Sequence, residues 1–235
     1  MIKVILFDVD NTLLDFDAYV QETMRSGFAK FDLGTYRDEM YQTFTKINTK
    51  LWQDIEQERL TYEELLQVRW NTIFKALNIS CDGVEFEKYF KHCLFDSAIP
   101  VEGAADILAY LKDRYILGVA SNGPHDQQLN RLKKAGMLSC FSEVFTSGKI
   151  GVSKPSLDFF KYCMDALNAF EKNDHNTEIS PSEVMMIGDS LTSDMTGAIN
   201  YGMKTCFFDK AKKEQGRDLA IDHRIFNLCE IKEIL

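Results

Sequence analysis

The chain begins with a short apolar run that ends at two acidic residues. Val4–Phe7 carries no charge, which is typical of a strand that is buried on both faces of a sheet. Asp8 and Asp10 follow it, and because side chains alternate along an extended chain, their carboxylates lie on the same side. At about 4 Å and an effective dielectric constant near 20, two such charges repel by roughly 4 kcal/mol. A small hard cation would relieve this repulsion, whereas a polar turn, with Asn11 and Thr12 at the start of the next helix, is the simpler alternative.

The next part of the chain has a helical pattern and no convincing strand. Apolar side chains recur at helical spacing at Phe28, Phe31, Tyr41, Phe44, Ile47 and Leu51, and again at Leu65, Leu66, Ile73, Phe74 and Leu77. Thr61 with Glu64 three positions later is a typical signature of a helix N-terminus. The pattern therefore predicts an all-helical insert over residues 16–99.

From residue 100 onward, short apolar runs alternate with helical segments. Strands are predicted at residues 116–120, 143–146, 184–187 and 205–208. Helices are predicted at residues 102–113, around Leu129 and Leu132, at residues 156–170 and up to Tyr201, and a polar loop is predicted at residues 171–180. This alternation predicts an α/β fold with a parallel sheet.

Composition and charge exclude several classes of function. The 235 residues carry a formal net charge of -9, which disfavours nucleic acid polymers and anionic membrane surfaces as partners. No apolar stretch approaches the roughly 20 residues of a membrane-spanning helix, and the start of the chain leads directly into a strand, so we expect a cytoplasmic protein. The six cysteines show no CxxC spacing, which predicts neither a zinc site nor a disulfide framework.

Polar residues follow the predicted strands at the points where the strands end. Because the carboxyl ends of parallel strands face one way, ligands bind in the crevice beyond them, and distant parts of the chain converge there. The residues expected to converge are Asp8, Asp10, Ser121, Lys154, Asp189 and Asp194. This set combines carboxylates with an ammonium group and a hydroxyl group.

The carboxylates of this set suit phosphoryl chemistry. A carboxylate can attack phosphorus and form an aspartyl-phosphate that water later hydrolyses, and either Asp8 or Asp10 could do so. The carboxylate beside the nucleophile can act as general acid toward the leaving alcohol. Mg²⁺ commonly binds through one or two carboxylates, waters and a substrate phosphate, which suits Asp8 and Asp189.

The other polar groups of the set suit an anionic substrate. The ammonium group of Lys154 can stabilise charge on the phosphoryl oxygens. The Ser121 hydroxyl and the backbone N–H groups of Asn122 and Gly123 add hydrogen-bond donors. A phosphate ester of small size is therefore the expected substrate class.

Four short segments resemble the ordered motifs of the haloacid dehalogenase-like (HAD) hydrolase superfamily. They are Asp8-Val9-Asp10-Asn11-Thr12, Ser121-Asn122-Gly123, Lys154-Pro155 and Gly188-Asp189-Ser190-Leu191-Thr192-Ser193-Asp194. The resemblance implies a Rossmann-like, three-layer α/β/α core made of residues 1–15 and 100–235. It also implies that residues 16–99 form a helical cap domain inserted after the first strand.

The resemblance assigns a role to each motif residue. Asp8 would be the nucleophile and Asp10 the acid/base, while Asp8, the main-chain carbonyl of Asp10 and Asp189 would hold Mg²⁺. The phosphate would be bound by Ser121, Asn122 and Lys154. The supporting residues would be Thr12, Gly123, Ser190 and Asp194, of which Asp194 would orient Lys154 or the waters of the metal.

The acid at Asp10 narrows the choice of subfamily. Dehalogenases and phosphonoacetaldehyde hydrolases lack an acid at this position, whereas phosphatases and phosphomutases have one. The segments at residues 14–17, 51–54, 60–61 and 150–155 are similar to the pyrimidine nucleotide 5'-nucleotidase branch. Phe16 or Trp52 could stack on a nucleobase, with burial of Trp52 in the core of the cap as the alternative.

These inferences lead to an expected enzyme class with two alternatives. We expect a Mg²⁺-dependent phosphomonoester hydrolase that forms an aspartyl-phosphate and acts on small metabolites, with nucleoside 5'-monophosphates as the leading substrates. A sugar phosphomutase would share every core motif. A phosphoacceptor signalling or binding protein without turnover is the alternative from another class, although such domains lack a helical insert.

Overall fold

The chain folds into two compact units, one of which is made of two separate segments of the chain. The computed structural model describes residues 1–174, 178–210, 212, 216 and 218–235, with residues 170–174 described by their backbone alone. One unit comprises Met1–Asp15 and Ala98–Leu235, and the other comprises Phe16–Ser97. The roles of catalytic core and cap domain for these units stay predictions.

The first unit contains a parallel sheet. Over the described residues its strands are β1 Val4–Phe7, β2 Ile116–Ser121, β3 Glu143–Thr146, β4 Val184–Gly188, β5 Lys204–Phe208 and β6 His223–Ile225. They are ordered β3-β2-β1-β4-β5-β6, and every neighbouring pair is parallel. The predicted α/β fold with a parallel sheet is thereby confirmed. The pattern did not predict β6, because this edge strand of three residues begins with His223 and Arg224 and has no apolar run.

Helices cover both faces of the sheet and give three layers. They are α5 Ala104–Leu111, α6 His125–Lys134, α7 Ser147–Ile150, α8 Leu157–Asp174, α9 Thr196–Tyr201 and α10 Ile231–Ile234. Within β1, Ile5 and Phe7 pack into one apolar cluster with α5, whereas Val4 and Leu6 pack into another with α8. A central strand with core on both sides needs an uninterrupted apolar run, which explains the sequence of β1.

The end of α8 lies further along the chain than predicted. α8 continues to Asp174, four residues past the predicted end of the helix, so part of the predicted polar loop at residues 171–180 is helical. Residues 175–177 of that loop lie outside the described residues. The error is one of helix length, since a run of polar residues in the sequence is typical both of a loop and of the end of a helix.

The second unit is helical over its described length, as its periodicity predicted. Its helices are α1 Phe16–Lys30, α2 Asp38–Glu56, α3 Tyr62–Ala76 and α4 Gly83–Asp96. The predicted helix start at Thr61 is confirmed, because the Thr61 side chain accepts from Glu64 N at 3.2 Å while Thr61 N donates to Glu64 Oε2 at 2.8 Å. No helix among the described residues combines the length and apolar character needed to cross a membrane.

A buried ion pair lies among the aromatic side chains of this second unit. The ring centroid of Trp70 lies 4.4 Å from that of Phe86 and 5.2 Å from that of Phe90. Beside them, Arg69 and Glu87 are 3 % and 2 % exposed, and Arg69 Nε donates to Glu87 Oε2 at 2.9 Å. Burial of a charged pair requires hydrogen bonds on both partners, and this pair has them.

The two proposed specificity residues both lie in the second unit. Phe16 is half-buried, with its ring centroid 5.7 Å from that of Tyr19 and 6.5 Å from that of Phe44. Trp52 is also half-buried and contacts the ring of Tyr62 at 6.1 Å. Both rings therefore contribute to packing within the unit, and a contact of either with substrate stays a prediction.

Candidate active site

Three of the predicted site residues meet at the carboxyl edge of the sheet around one buried ammonium group. Lys154 Nζ donates to Asp8 Oδ1 at 2.8 Å, to Asp194 Oδ1 at 2.6 Å and to the carbonyl oxygen of Ala120. Because a lysine ammonium carries three protons, these partners account for all of them. Lys154 is thus held rigidly between the end of β1 and the segment after β4.

Burial and the neighbouring opposite charge shift the pKa values of Asp8 and Lys154 in opposite directions. Burial and the nearby carboxylates of Asp194 and Asp10 raise the pKa of Asp8, Lys154 opposes them, and the net result is a pKa of about 7. Burial alone would lower the pKa of Lys154, but Asp194 and Asp8 outweigh it, so its pKa is raised. Lys154 therefore remains a cation, and its single charge does not offset the acids around it.

The acids at this edge form a donor set that fits a small divalent cation. Asp8, Asp189 and Asp194 each offer one carboxylate oxygen, and these oxygens lie within 4.8 Å of one another. Mg²⁺ prefers such hard oxygen ligands. The set contains Asp194, predicted as a supporting residue, and does not contain the Asp10 carboxylate. The metal role predicted for Asp10 concerns its main-chain carbonyl and stays a prediction.

The Asp10 carboxylate is held by two side chains of α6. Arg131 Nη1 donates to Asp10 Oδ1 at 2.6 Å, and Gln128 Nε2 donates to Asp10 Oδ2 at 2.9 Å. The Arg131 side chain is 1 % exposed, whereas the Asp10 side chain is 34 % exposed. The carboxylate is therefore fixed from the buried side while it still faces solvent.

The Ser121 hydroxyl is arranged as a donor. Ser121 is buried, and its Oγ accepts from Gln128 Nε2 at 2.8 Å and from Gly123 N at 3.2 Å. Because both bonds use the lone pairs of the oxygen, the hydroxyl proton is left to donate to another group. An anionic oxygen at the carboxyl edge of β2 is a suitable acceptor.

The side chain of Asn122 holds the segment that carries Lys154. Its Nδ2 donates to the carbonyl oxygen of Lys154 at 3.0 Å, and its Oδ1 accepts from Lys154 N at 2.8 Å. Both polar ends of the amide are used in this way. The phosphate contact predicted for Asn122 thus rests on its backbone N–H and stays a prediction.

The remaining predicted residues lie close to this edge. Asp194 Oδ2 accepts from Ser190 N at 3.1 Å, so both oxygens of this fully buried carboxylate have partners. A Cβ on Gly188 would lie 2.1 Å from Asp194 Oδ2, which shows how closely Asp194 approaches the end of β4. Thr12 is fully buried, and its Oγ1 has no hydrogen-bond partner among the described residues.

Comparison with known proteins agrees with this geometry. A family model described as haloacid dehalogenase-like hydrolase matches residues 2–202. The chain belongs to this family. A solved structure with the same fold is that of YfnB from Bacillus subtilis bound to magnesium, which has a TM-score of 0.88 and 27% identity and covers 100% of this chain and 98% of that one.

Relatives of this HAD-like hydrolase include two with a named substrate class. Pyrimidine 5'-nucleotidase PynA of Streptococcus pneumoniae (strain ATCC BAA-255 / R6) is 28% identical over 99% of this chain and 94% of its own length. Pyrimidine 5'-nucleotidase YjjG of Escherichia coli (strain K12) is 26% identical over 98% of this chain and 96% of its own length. The L-2-haloacid dehalogenase from Xanthobacter autotrophicus, at 18% identity and a TM-score of 0.77, shares the fold.

Two polar residues of the HAD-like site were missed by sequence reasoning. Gln128 and Arg131 belong to the helix that was predicted from Leu129 and Leu132 alone. A signal was present, since the two polar residues are three positions apart and hence on one helix face, directly after the Ser121 segment. Their contact with Asp10 spans more than a hundred positions, which helical periodicity does not reveal.

Proposed function

We propose that this HAD-like hydrolase is a Mg²⁺-dependent phosphatase that hydrolyses nucleoside 5'-monophosphates through an aspartyl-phosphate on Asp8. The observation that carries the proposal is the contact of Asp8 with the buried ammonium group of Lys154, beside the carboxylates of Asp189 and Asp194. Two relatives named pyrimidine 5'-nucleotidase support the substrate class.

Asp8 is the nucleophile of the proposed reaction. Lys154 holds Asp8 Oδ1, which orients the carboxylate and leaves Oδ2 to attack phosphorus. The bond from phosphorus to the nucleoside 5'-oxygen breaks as the acyl phosphate forms. The Lys154 ammonium and the Ser121 hydroxyl stabilise the charge on the phosphoryl oxygens during this step.

Asp10 moves the protons of both steps. In its protonated form it donates to the leaving 5'-oxygen, so that the nucleoside departs as an alcohol. In the second step the Asp10 carboxylate accepts a proton from the water that attacks the acyl phosphate. This step releases inorganic phosphate and restores Asp8.

The acid cluster provides the place for a metal. Asp8, Asp189 and the main-chain carbonyl of Asp10 would hold Mg²⁺, with Asp194 close by. Bound Mg²⁺ would supply positive charge to the phosphoryl oxygens and offset the acids that Lys154 alone does not neutralise.

A phosphate-release assay tests the proposal. Purified protein with Mg²⁺ is expected to release phosphate from uridine or cytidine 5'-monophosphate, and EDTA is expected to abolish the activity reversibly. Asp8→Asn should remove turnover, whereas Asp165→Asn, which neutralises an exposed acid on α8, should leave it unchanged. Full activity of Asp8→Asn or in excess EDTA would exclude the mechanism.

The same assay tests the substrate class. A relative from Methanothermobacter thermautotrophicus (strain ATCC 29096 / DSM 1053 / JCM 10044 / NBRC 100330 / Delta H), named glyceraldehyde 3-phosphate phosphatase, is 25% identical over 100% of this chain. A triose phosphate therefore belongs beside the nucleotides in the substrate panel. Preference for it would overturn the nucleotidase assignment, and a sugar phosphate isomer without free phosphate would indicate a phosphomutase. Stable phosphorylation over minutes would indicate a phosphoacceptor protein.

Phe16 and Trp52 are the proposed contacts to the nucleobase. If one of them stacks on the base, its replacement by Leu should raise KM for nucleotides and leave KM for a phosphate ester without a base unchanged. Stacking of this kind contributes roughly 1–3 kcal/mol, which corresponds to about a 5-fold to 150-fold change in KM. Equal KM changes for both substrates would assign the residue to packing of the helical unit.

A further inference from the structure

We infer that Gln128 and Arg131 are positioning residues that hold the Asp10 carboxylate and join it to the Ser121 hydroxyl. The inference rests on the proposed function, in which Asp10 transfers protons and Ser121 binds the phosphoryl group. Both α6 side chains are fully buried. They contact Asp10 through one hydrogen bond to each of its carboxylate oxygens.

The hydrogen-bond network allows one arrangement of these groups. Arg131 Nη1 donates both to Asp10 Oδ1 at 2.6 Å and to Gln128 Oε1 at 3.0 Å. Because a guanidinium group only donates, the amide oxygen of Gln128 faces Arg131, and its NH₂ faces Asp10. The two oxygens of Asp10 are therefore held at defined positions.

The amide of Gln128 also joins the acid/base to the phosphate-binding turn. Its Nε2 donates to Asp10 Oδ2 at 2.9 Å and to Ser121 Oγ at 2.8 Å. One NH₂ group thus sets the separation between the proposed proton donor and the proposed phosphate ligand. Proton transfer to the leaving oxygen depends on this separation, because a general acid must lie within hydrogen-bond reach of its acceptor.

The turn after β2 is built around this amide. A Cβ on Gly123 would lie 2.4 Å from Gln128 Nε2 and 2.9 Å from Gln128 Cδ. Only a residue without a side chain lets the amide lie this close to the turn. The sequence Ser121-Asn122-Gly123 therefore accommodates Gln128 as well as offering donors to a phosphate.

A contribution to folding stability does not by itself explain the ion pair of the buried Arg131 with Asp10. Removing a guanidinium group from water is expensive, and replacement of buried ion pairs by apolar residues of similar volume is often neutral or stabilising. Here the acid partner is one-third exposed, so part of its charge is already solvated. A buried cation next to a partly exposed catalytic acid is consistent with a role in orientation.

Kinetics with two leaving groups separates positioning from a structural role. The variants are Arg131→Met and Gln128→Met, with Lys133→Met as a control that removes an exposed cation from the same helix. With uridine 5'-monophosphate, whose leaving alcohol needs a proton, kcat should fall about 10-fold to 100-fold, with KM changed less than about 3-fold. Lys133→Met should match wild type.

The second substrate is 4-nitrophenyl phosphate, whose leaving group departs without a proton. In the Arg131 and Gln128 variants, attack by Asp8 should stay fast, while hydrolysis of the acyl phosphate, which needs Asp10 as base, should be slow. A burst of 4-nitrophenolate equal to the enzyme concentration should therefore precede slow turnover. Arg131→Lys, which keeps a donor and the charge, should restore part of kcat for the nucleotide.

Distinct results would overturn the inference. An equal fall in kcat for both substrates without a burst, or a lower folded fraction by circular dichroism that accounts for the loss, would assign the pair a structural role. An unchanged or higher kcat in Arg131→Met would also overturn the inference, because the contact of Arg131 with Asp10 would then not assist proton transfer. Absence of phosphate release by wild type from either substrate would instead reject the proposed function.

Discussion

The ammonium nitrogen of Lys154 lies 2.6 Å from Asp194 Oδ1, and both side chains are almost fully buried although 40 positions separate them in the chain. Their contact joins the segment after β3 to the segment after β4. The same nitrogen lies 2.8 Å from Asp8 Oδ1. One cation thus compensates part of the charge of two buried acids, and the stability of the site depends on it.

Replacement of Lys154 by Met is expected to destabilise the metal-free protein strongly. Removal of one partner from a buried ion pair typically costs about 3–5 kcal/mol, because the other charge is left uncompensated. Urea unfolding in EDTA measures the effect. Lys161→Met is the control, since Lys161 pairs with Asp165 on the exposed face of α8 and should contribute less than about 1 kcal/mol. Similar losses of unfolding free energy for both variants would contradict the inference that Lys154 compensates buried acids.

Asp8→Asn should change the free energy of unfolding in the opposite direction to Lys154→Met and stabilise the metal-free protein at pH 8. Burial raises the pKa of Asp8 from 3.8 to about 7, so the folded state disfavours the ionised carboxylate. The folding stability associated with protonated Asp8 is fully present below pH 3.8, declines as the pH rises, and is lost above about pH 7. An Asn at this position stays neutral and can still accept a hydrogen bond from Lys154.

Thermal unfolding in EDTA at pH 5 and pH 8 measures this difference. Asp8→Asn should unfold at a higher temperature than wild type at pH 8, by about 2–4 °C for each kcal/mol of stabilisation, and the gain should shrink at pH 5. Asp165→Asn is the control, since it neutralises an exposed carboxylate and should change the unfolding temperature little. Addition of Mg²⁺ should stabilise wild type more than Asp8→Asn. A lower unfolding temperature for Asp8→Asn at pH 8 would refute the prediction.

The convergence of Asp8, Lys154 and Asp194 could be predicted from the sequence because it follows from the backbone. Each residue lies just after a strand or between two strands, and parallel strands bring their carboxyl ends to one edge whatever the side chains do. Prediction needed only the strand positions, which short apolar runs such as Val4–Phe7 reveal. A distance of 146 positions between Asp8 and Lys154 was therefore no obstacle.

The contacts of Asp10 could not be predicted in the same way. They depend on which face of α6 turns toward β1 and on how far the long side chains of Gln128 and Arg131 reach. Periodicity predicted the helix from Leu129 and Leu132, and a helical pattern by itself gives no partner for the polar positions on its other faces. Arg131 is nevertheless fully buried, because its charge is paired with Asp10. The pairing is a tertiary contact that no local pattern reports.

Gly188→Ala should disturb the site through Asp194. A Cβ at this position would lie 2.1 Å from Asp194 Oδ2, so the carboxylate must move away from Ser190 N and Lys154 Nζ. Overpacking of this kind typically costs about 1–3 kcal/mol, and displacement of Lys154 should lower kcat as well. Unfolding in urea and steady-state kinetics measure the two effects.

A double mutant tests whether the effect of Gly188→Ala acts through this contact. Asp194→Ala removes the two closest atoms that the new methyl group would meet, Oδ2 at 2.1 Å and Cγ at 2.5 Å, and leaves only Cβ at 3.0 Å. The stability cost of Gly188→Ala should therefore be much smaller in the Asp194→Ala background than in wild type, giving a coupling of at least about 1 kcal/mol. Additive costs would show that the glycine is needed for another reason, such as the end of β4.

The helical unit offers a prediction that is independent of catalysis. Arg69 and Glu87 are nearly fully buried, and Arg69 Nη1 also donates to Asn48 Oδ1 at 3.1 Å. Arg69→Met should destabilise the protein by about 3–5 kcal/mol, because Glu87 would remain charged in an apolar environment beside Phe90. The double variant Arg69→Met/Glu87→Leu removes both charges and should recover most of that loss.

Urea unfolding of the single and double variants measures the loss and its recovery. Lys88→Met, which removes an exposed ion pair on α4, is the control. A double variant no more stable than Arg69→Met would show that the hydrogen bonds of the pair, beyond its charge balance, hold the helices together.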